Sequence, residues 1–170
     1  VNNGSGPSEQ PSAAALQEPP VQIRQATAQD APAVAAGVAE LLLEIGGSPA
    51  PNERLQASAR ELIADPQAGA VLVAECEQRI VGLLGVSWQT AIRVPGRYGL
   101  IQELWVQRAY RYKEIGAELI GALVELAREQ GVARLEVGLP SERYRHLVAT
   151  ESFYEANDFT GIGLRMRRLL

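Results

Sequence analysis

Cysteine and histidine are nearly missing from this chain. Among 170 residues there is one of each, Cys76 and His146. A single cysteine excludes an intrachain disulfide. One cysteine and one distant histidine cannot supply the four ligands of a structural zinc site, so no metal is expected. Basic residues are also in short supply: 16 Lys and Arg against 20 Asp and Glu, for a net charge of -4. A nucleic-acid binder normally shows the opposite balance or a basic stripe, so no nucleic acid is expected. No apolar run reaches the roughly 18 residues that a membrane span needs, so no membrane is expected either. The first residues lack the charged-then-apolar pattern of a secretion signal. With the scarcity of cysteine, this points to a reducing, cytoplasmic setting. Cys76 itself lies in the apolar run VLVAEC and reads as a small buried hydrophobe.

What is present is enough for one domain with a sizeable core: 46% hydrophobic and 21% charged residues. Residues 1–20, VNNGSGPSEQPSAAALQEPP, are rich in Pro, Ser, Gly and Gln. They carry too little apolar surface to offset the entropy of ordering, and read as a flexible tail. The folded domain is expected over 21–170. VQIRQAT alternates and reads as a strand. Thr27 can then cap a helix that runs to Gly46, with Asp30 in its first turn. The breakers of GGSPAP follow, and Asn52 is the expected cap of a second helix that stops before Asp65-Pro66. Residues 70–76 and 79–90 read as a hairpin joined by Glu77-Gln78, without the usual glycine. RVPGR marks a turn, and 98–107 is a third long strand. A helix over 115–130 ends at Gly131, a natural left-handed terminator. A strand over 132–139, reached through that helix, should lie parallel to 98–107. A short helix over 149–157 and a final strand in TGIGLRMRRLL complete the chain, its RMRR reading as a charge-protected edge.

That order of elements, with IQELWVQRAYRYKEIGAELI and SFYEANDF, resembles the GNAT superfamily of N-acetyltransferases across about 21–170. The implied fold class is α/β: a mixed sheet with antiparallel N-terminal strands, one parallel pair in the centre and helices on both faces. Members bind acetyl-CoA at a turn of pattern Q/R-x-x-G-x-G/A between a strand and a helix. Arg111 matches its first position and Gly116 its last, but Glu114 replaces the first glycine. Similarly, Asp158 stands where the family's FYEKNGF-type ending has glycine. The physics of such a turn is sound. The first amides of a helix lack intrahelical acceptors, and the dipole attracts a diphosphate. Arg111 and Lys113 add positive charge. The competing reading is a solvated basic turn before a capped helix, and the Glu114 carboxylate is well placed to satisfy that helix end by itself.

The resemblance implies site residues. Leu104, Trp105 and Val106 would meet the pantetheine arm and acetyl carbonyl through their backbone, where the parallel strands splay. Arg111, Tyr112, Lys113, Glu114, Ile115, Gly116 and Ala117 would cradle the diphosphate. Tyr154 would act as general acid to the leaving thiolate; the alternative is a core tyrosine packed beside Phe153. Glu103 would deprotonate the amine, directly or through water; the alternative is a solvated or salt-bridged strand acid. By alternation Glu103, Trp105 and Gln107 share one face of their strand, and Gln102, Leu104 and Val106 the other. The acceptor, a small-molecule or peptide amine, would meet GGSPAPNERL and PSERYRHLV, where Arg143, Arg145 and His146 either contact it or form a solvated loop. Trp88 and Trp105 either line a pocket or sit buried. The family also allows a homodimer. Acids at both glycine positions motivate a second reading, a non-catalytic binding or regulatory module of the same fold with a weakened coenzyme site.

Overall fold

In the computed structural model, residues 19–163 are described, and they build one mixed sheet flanked by helices. Strands β1 (Gln22–Gln25), β2 (Gly69–Cys76), β3 (Arg79–Ala91), β4 (Val94–Val106) and β5 (Leu135–Val137) lie side by side in chain order. All neighbours are antiparallel except β4 and β5, which are parallel. The helices are α1 (Ala31–Glu44), α2 (Asn52–Ala64), α3 (Ile115–Glu129) and α4 (Leu147–Glu155). The expected α/β mixed sheet with one parallel pair is therefore present. No helix among the described residues is long and apolar enough to cross a membrane. The tail expected over 1–20 lies, but for its last two residues, outside the described residues. Of the closing strand expected over 160–170, residues 164–170 lie outside them too, and 160–163 form no strand.

Local chemistry explains most boundaries. The Asp30 carboxylate accepts hydrogen bonds from the Thr27 N–H (2.7 Å) and hydroxyl (2.9 Å), which winds Ala28–Asp30 into a 3-10 turn before α1. Helices α1, α3 and α4 all end in the same motif. Gly46 (φ 82°), Gly131 (φ 67°) and Asp158 (φ 65°) take the left-handed conformation, and the next amide reaches back to a carbonyl of the last turn. Glu77 (φ 49°) and Gln78 (φ 63°) are both left-handed, so the β2–β3 connection has the type I′ form despite having no glycine.

Several boundaries differ from expectation, and α4 runs two residues earlier than the expected 149–157. Asn52 is the first residue of α2, not its cap; Pro51 occupies the cap position, and its carbonyl accepts from Arg54 and Leu55. Strand β4 begins at Val94, because Pro95 and Gly96 (φ 86°) form an irregularity within the ladder instead of the turn. Strand β5 is confined to three residues, paired only with Gly99–Ile101.

Two cores cover the two faces of the sheet. On one, Ile115, Leu119, Ile120 and Leu123 of α3 pack on Leu84, Val86 and Ile101, with Cys76 buried among them. Leu119 and Leu123 are fully enclosed, and truncating either to alanine costs about 2–5 kcal/mol. On the other, Val34 of α1 and Ala59 of α2 pack on Val73, Leu83 and Trp105. Helix α1 comes close enough there that a β-carbon on Gly37 would meet Leu83 and Trp105 at 2.7 and 2.8 Å.

One irregularity positions the site. Gly85 pairs with Glu103 but Val86 pairs with Ile101, so Gln102 is an extra residue in β4. The slip changes which face each side chain takes. Ile101 joins Val86 in the α3 core, while Trp105 joins Leu83 beneath α1. Pairing to β5 stops beside this bulge, at Ile101 opposite Val137. The rest of β4, through Val106, therefore has no β5 partner, and the two parallel strands part as expected.

Candidate active site

The turn that joins β4 to α3 holds two residues in left-handed conformations, Tyr112 (φ 63°) and Glu114 (φ 64°, ψ -5°). Neither is glycine. Glu114 thus takes up the backbone conformation for which glycine is suited, at a cost of roughly 1–2 kcal/mol. Its side chain is exposed and makes no capping hydrogen bond to the helix. The first amide of α3 with an intrahelical acceptor is that of Glu118, which donates to Glu114 O at 3.0 Å. Ile115, Gly116 and Ala117 precede it, as the unpaired start of any helix does. Gly116 has a separate role in packing: a β-carbon there would meet the Phe153 ring of α4 at 3.1 Å.

Where β4 and β5 part, a cleft of about 270 Å³ opens. Its walls include Gln102, Leu104 and Trp105 of β4, Glu44 of α1, Arg111, Tyr144 and Tyr154. A larger opening of about 430 Å³ lies on the β1 side of the same turn, walled by Val21, Tyr110, Lys113 and Glu118. Tyr154 lines the cleft and not this opening, so the cleft is the candidate site.

Tyr154 is 8% exposed, on the face of α4 that meets the cleft. The Phe159 N–H donates to Tyr154 O (3.0 Å) and Asp158 N–H to Glu155 O (3.1 Å), which closes α4 and folds the Phe159 ring edge-on against Tyr154 at 5.4 Å. The Phe153 ring also meets it edge-on, at 5.3 Å. Burial raises the Tyr154 phenol to about 12, so it is a proton donor at any ordinary pH.

Glu103 shares its face with Trp105, as alternation predicts; it is half-buried and forms no salt bridge among the described residues. Its carboxyl lies over Gly85, directly across the β3–β4 ladder, where a β-carbon would collide with Oε2. Burial raises its pKa from 4.5 to about 7. It does not line the cleft that Tyr154 lines.

Arg111 lies in the cleft wall with its donors engaged internally. Nη1 and Nη2 donate to the two carboxylate oxygens of Glu44 (2.8 and 2.6 Å), and Nε donates to Val106 O at 2.9 Å. The Tyr144 hydroxyl donates to Glu44 Oε1 at 3.3 Å. The Arg111 fork holds the Glu44 carboxyl below its usual range. Burial, and then Glu44, raise the Tyr144 phenol.

Of the loop residues expected near an acceptor, Arg143, Arg145 and His146 are exposed and none lines the cleft; Tyr144 does. Trp88 and Trp105 are buried, at 8% and 7% exposure, and Trp105 also reaches the cleft wall. Sequence reasoning missed Glu44, Tyr144 and Gly85. Glu44 offered one signal, an acid closing the apolar run LLLE one turn after Glu40, the only other acid of the helix. Gly85 offered none without the ladder. Glu136, only 3% exposed on β5, was also missed; it is neutralised by Arg93 (3.2 Å) and Arg134 (3.1 Å), away from the cleft.

Comparison with known proteins agrees with this geometry. Residues 37–156 match the acetyltransferase (GNAT) family. No curated protein sequence matches the chain. Among solved structures, a protein from Arthrobacter sp. FB24 is 28% identical, with 88% of this chain and 96% of that one covered and a TM-score of 0.73. A possible acetyltransferase from Clostridium difficile 630 is 18% identical over 88% and 97%, with a TM-score of 0.75. An aminoglycoside N-acetyltransferase in complex with CoA is 13% identical over 91% and 97%, also with a TM-score of 0.75.

Proposed function

Because the chain belongs to the acetyltransferase (GNAT) family, we propose that it transfers an acetyl group from acetyl-CoA to a primary amine of a small molecule or peptide. The observation that carries this reading is the start of α3. Glu114 adopts the left-handed backbone of a glycine and keeps its carboxylate off the helix amides. The turn from Arg111 to Ala117 therefore keeps a diphosphate cradle in its backbone, with the Ile115, Gly116 and Ala117 amides pointing along the helix dipole. The second reading, a non-catalytic module, drew on the acids at 114 and 158; Glu114 does not cap the helix, and Asp158 takes the left-handed position that closes α4.

The pantetheine arm then lies along the part of β4 that β5 leaves unpaired, next to Leu104, Trp105 and Val106. Backbone groups there orient the thioester carbonyl. The acceptor arrives as an ammonium and must lose a proton before its nitrogen can attack. Glu103, poised near neutrality, takes that proton; because it stands outside the cleft lining, the transfer runs through water. As the carbon–nitrogen bond forms and the carbon–sulfur bond breaks, Tyr154 donates its phenolic proton to the departing thiolate, and the second proton that the nitrogen sheds in becoming an amide restores the phenol. No metal enters the scheme.

The deciding experiment is calorimetric titration of acetyl-CoA into the protein, followed by an amine screen with Tyr154→Phe as control. Micromolar binding supports the enzyme reading. No binding up to millimolar concentrations would sink it and leave the non-catalytic module.

A further inference from the structure

Arg111 holds the family position that sequence alone assigns to phosphate binding, yet its side chain faces the other way. Resting on the acetyltransferase reading, we infer that Arg111 is a positioning residue for the acceptor, and that Glu44 and Tyr144 complete the wall it builds. All three donor nitrogens of the guanidinium are engaged within the protein: two on Glu44 and one on Val106 O. A bidentate fork on a carboxylate is the strongest geometry this side chain has, and its planarity fixes the partner in orientation as well as in distance.

The consequence is a tie between three segments that are far apart in sequence. Glu44 closes α1, Arg111 opens the β4–α3 turn, and Tyr144 lies in the loop between β5 and α4. All three line the cleft that Tyr154 lines. The ion pair is partly buried, with side-chain exposures of 29% for Arg111 and 19% for Glu44, so solvent screens it less than a surface pair. The tie therefore sets the width of the acceptor side of the cleft, and the diphosphate is left to the backbone amides of α3.

Lysine separates the two roles. It keeps a point charge for a phosphate but cannot form the fork or the third bond to Val106 O. The test uses the full chain and the variants Arg111→Lys, Arg111→Met and Glu44→Gln. Two quantities are measured: the Kd for coenzyme A by calorimetry from low to high salt, and the KM for the best amine from a panel of polyamines, amino sugars and short peptides. The expected result is a coenzyme Kd that moves less than about threefold in all three variants, with an unchanged salt dependence, while the amine KM rises about tenfold in each, Arg111→Lys included. The charge reversal Glu44→Arg with Arg111→Glu should recover part of that loss, which a simple packing defect would not. A tenfold loss of coenzyme affinity in Arg111→Met, restored by Arg111→Lys, would overturn the inference and return Arg111 to the phosphate. If the unaltered protein bound no coenzyme, the proposed function would fall first and this inference with it.

Discussion

Gly85 and Glu103 face each other across the β3–β4 ladder, and the missing side chain of one makes room for the carboxylate of the other. Glycine in a strand interior weakens it, so its presence marks a close approach. Gly85→Ala should push the Glu103 carboxyl out of its place while leaving the fold intact. The expected outcome is a drop in kcat/KM of about tenfold, in line with the loss of a misplaced proton acceptor. Coenzyme affinity measured by calorimetry should not move, and if activity is unchanged Glu103 is not the base.

Glu103→Gln tests the same group through pH. The folded-state pKa, about 7, lies above the ordinary value of 4.5, so the folded protein holds this proton more tightly than the unfolded chain. Below pH 4.5 both states are protonated and the site costs nothing. Between 4.5 and 7 stability falls as pH rises, and above 7 the penalty is level at about 3 kcal/mol. Glutamine removes it. The variant should therefore unfold later than the parent above pH 7 and alike below pH 4.5 in denaturant titrations. Its rate should lack the rise through pH 7 expected of the parent.

Tyr154→Phe should lower kcat about 100-fold or more at neutral pH, the usual contribution of a placed general acid. The edge-to-face contacts to Phe153 and Phe159 survive this change, so the unfolding free energy should stay within about 1 kcal/mol. Equal activity in parent and variant would make Tyr154 a packing residue only.

Glu114→Gly relieves a left-handed glutamate and removes a negative charge beside the expected diphosphate. Stability should rise by about 1 kcal/mol. Coenzyme affinity should rise only a few-fold, and less at high salt, because the exposed carboxylate is screened and already off the amides. A hundred-fold gain would show that the native turn is blocked. Asp158→Gly should bring a similar gain in stability with no change in coenzyme binding.

Much of this fold was legible because its punctuation is local. Thr27 and Asp30, Gly46 and Gly131 mark helix ends through bonds to near neighbours, and the alternation of β4 put Glu103 and Trp105 on one face. What could not be read depended on partners across the sheet. Nothing around Pro95 and Gly96 in sequence distinguishes a turn from a ladder irregularity; the pairing of Ala91 with Val94 decides it. The turn at Arg111 was found by its pattern, but the direction of the Arg111 side chain was set by Glu44, 67 positions away. Arg143, Arg145 and His146 drew notice for their charge, whereas Tyr144 between them is the residue that turns inward.

The extra residue at Gln102 gives β4 two reading frames. Upstream of it, odd-numbered positions such as Gly99 and Ile101 belong to the α3 layer; downstream, odd-numbered Glu103 and Trp105 belong to the α1 layer. Deleting that one residue would put the strand into a single frame. The scaffold before it or the chemistry after it would have to change sides. Insertions and deletions elsewhere in the loops alter lengths, but here one residue decides which layer owns the acid, and a strand of otherwise unchanged composition would lose the proposed role of Glu103 by parity alone.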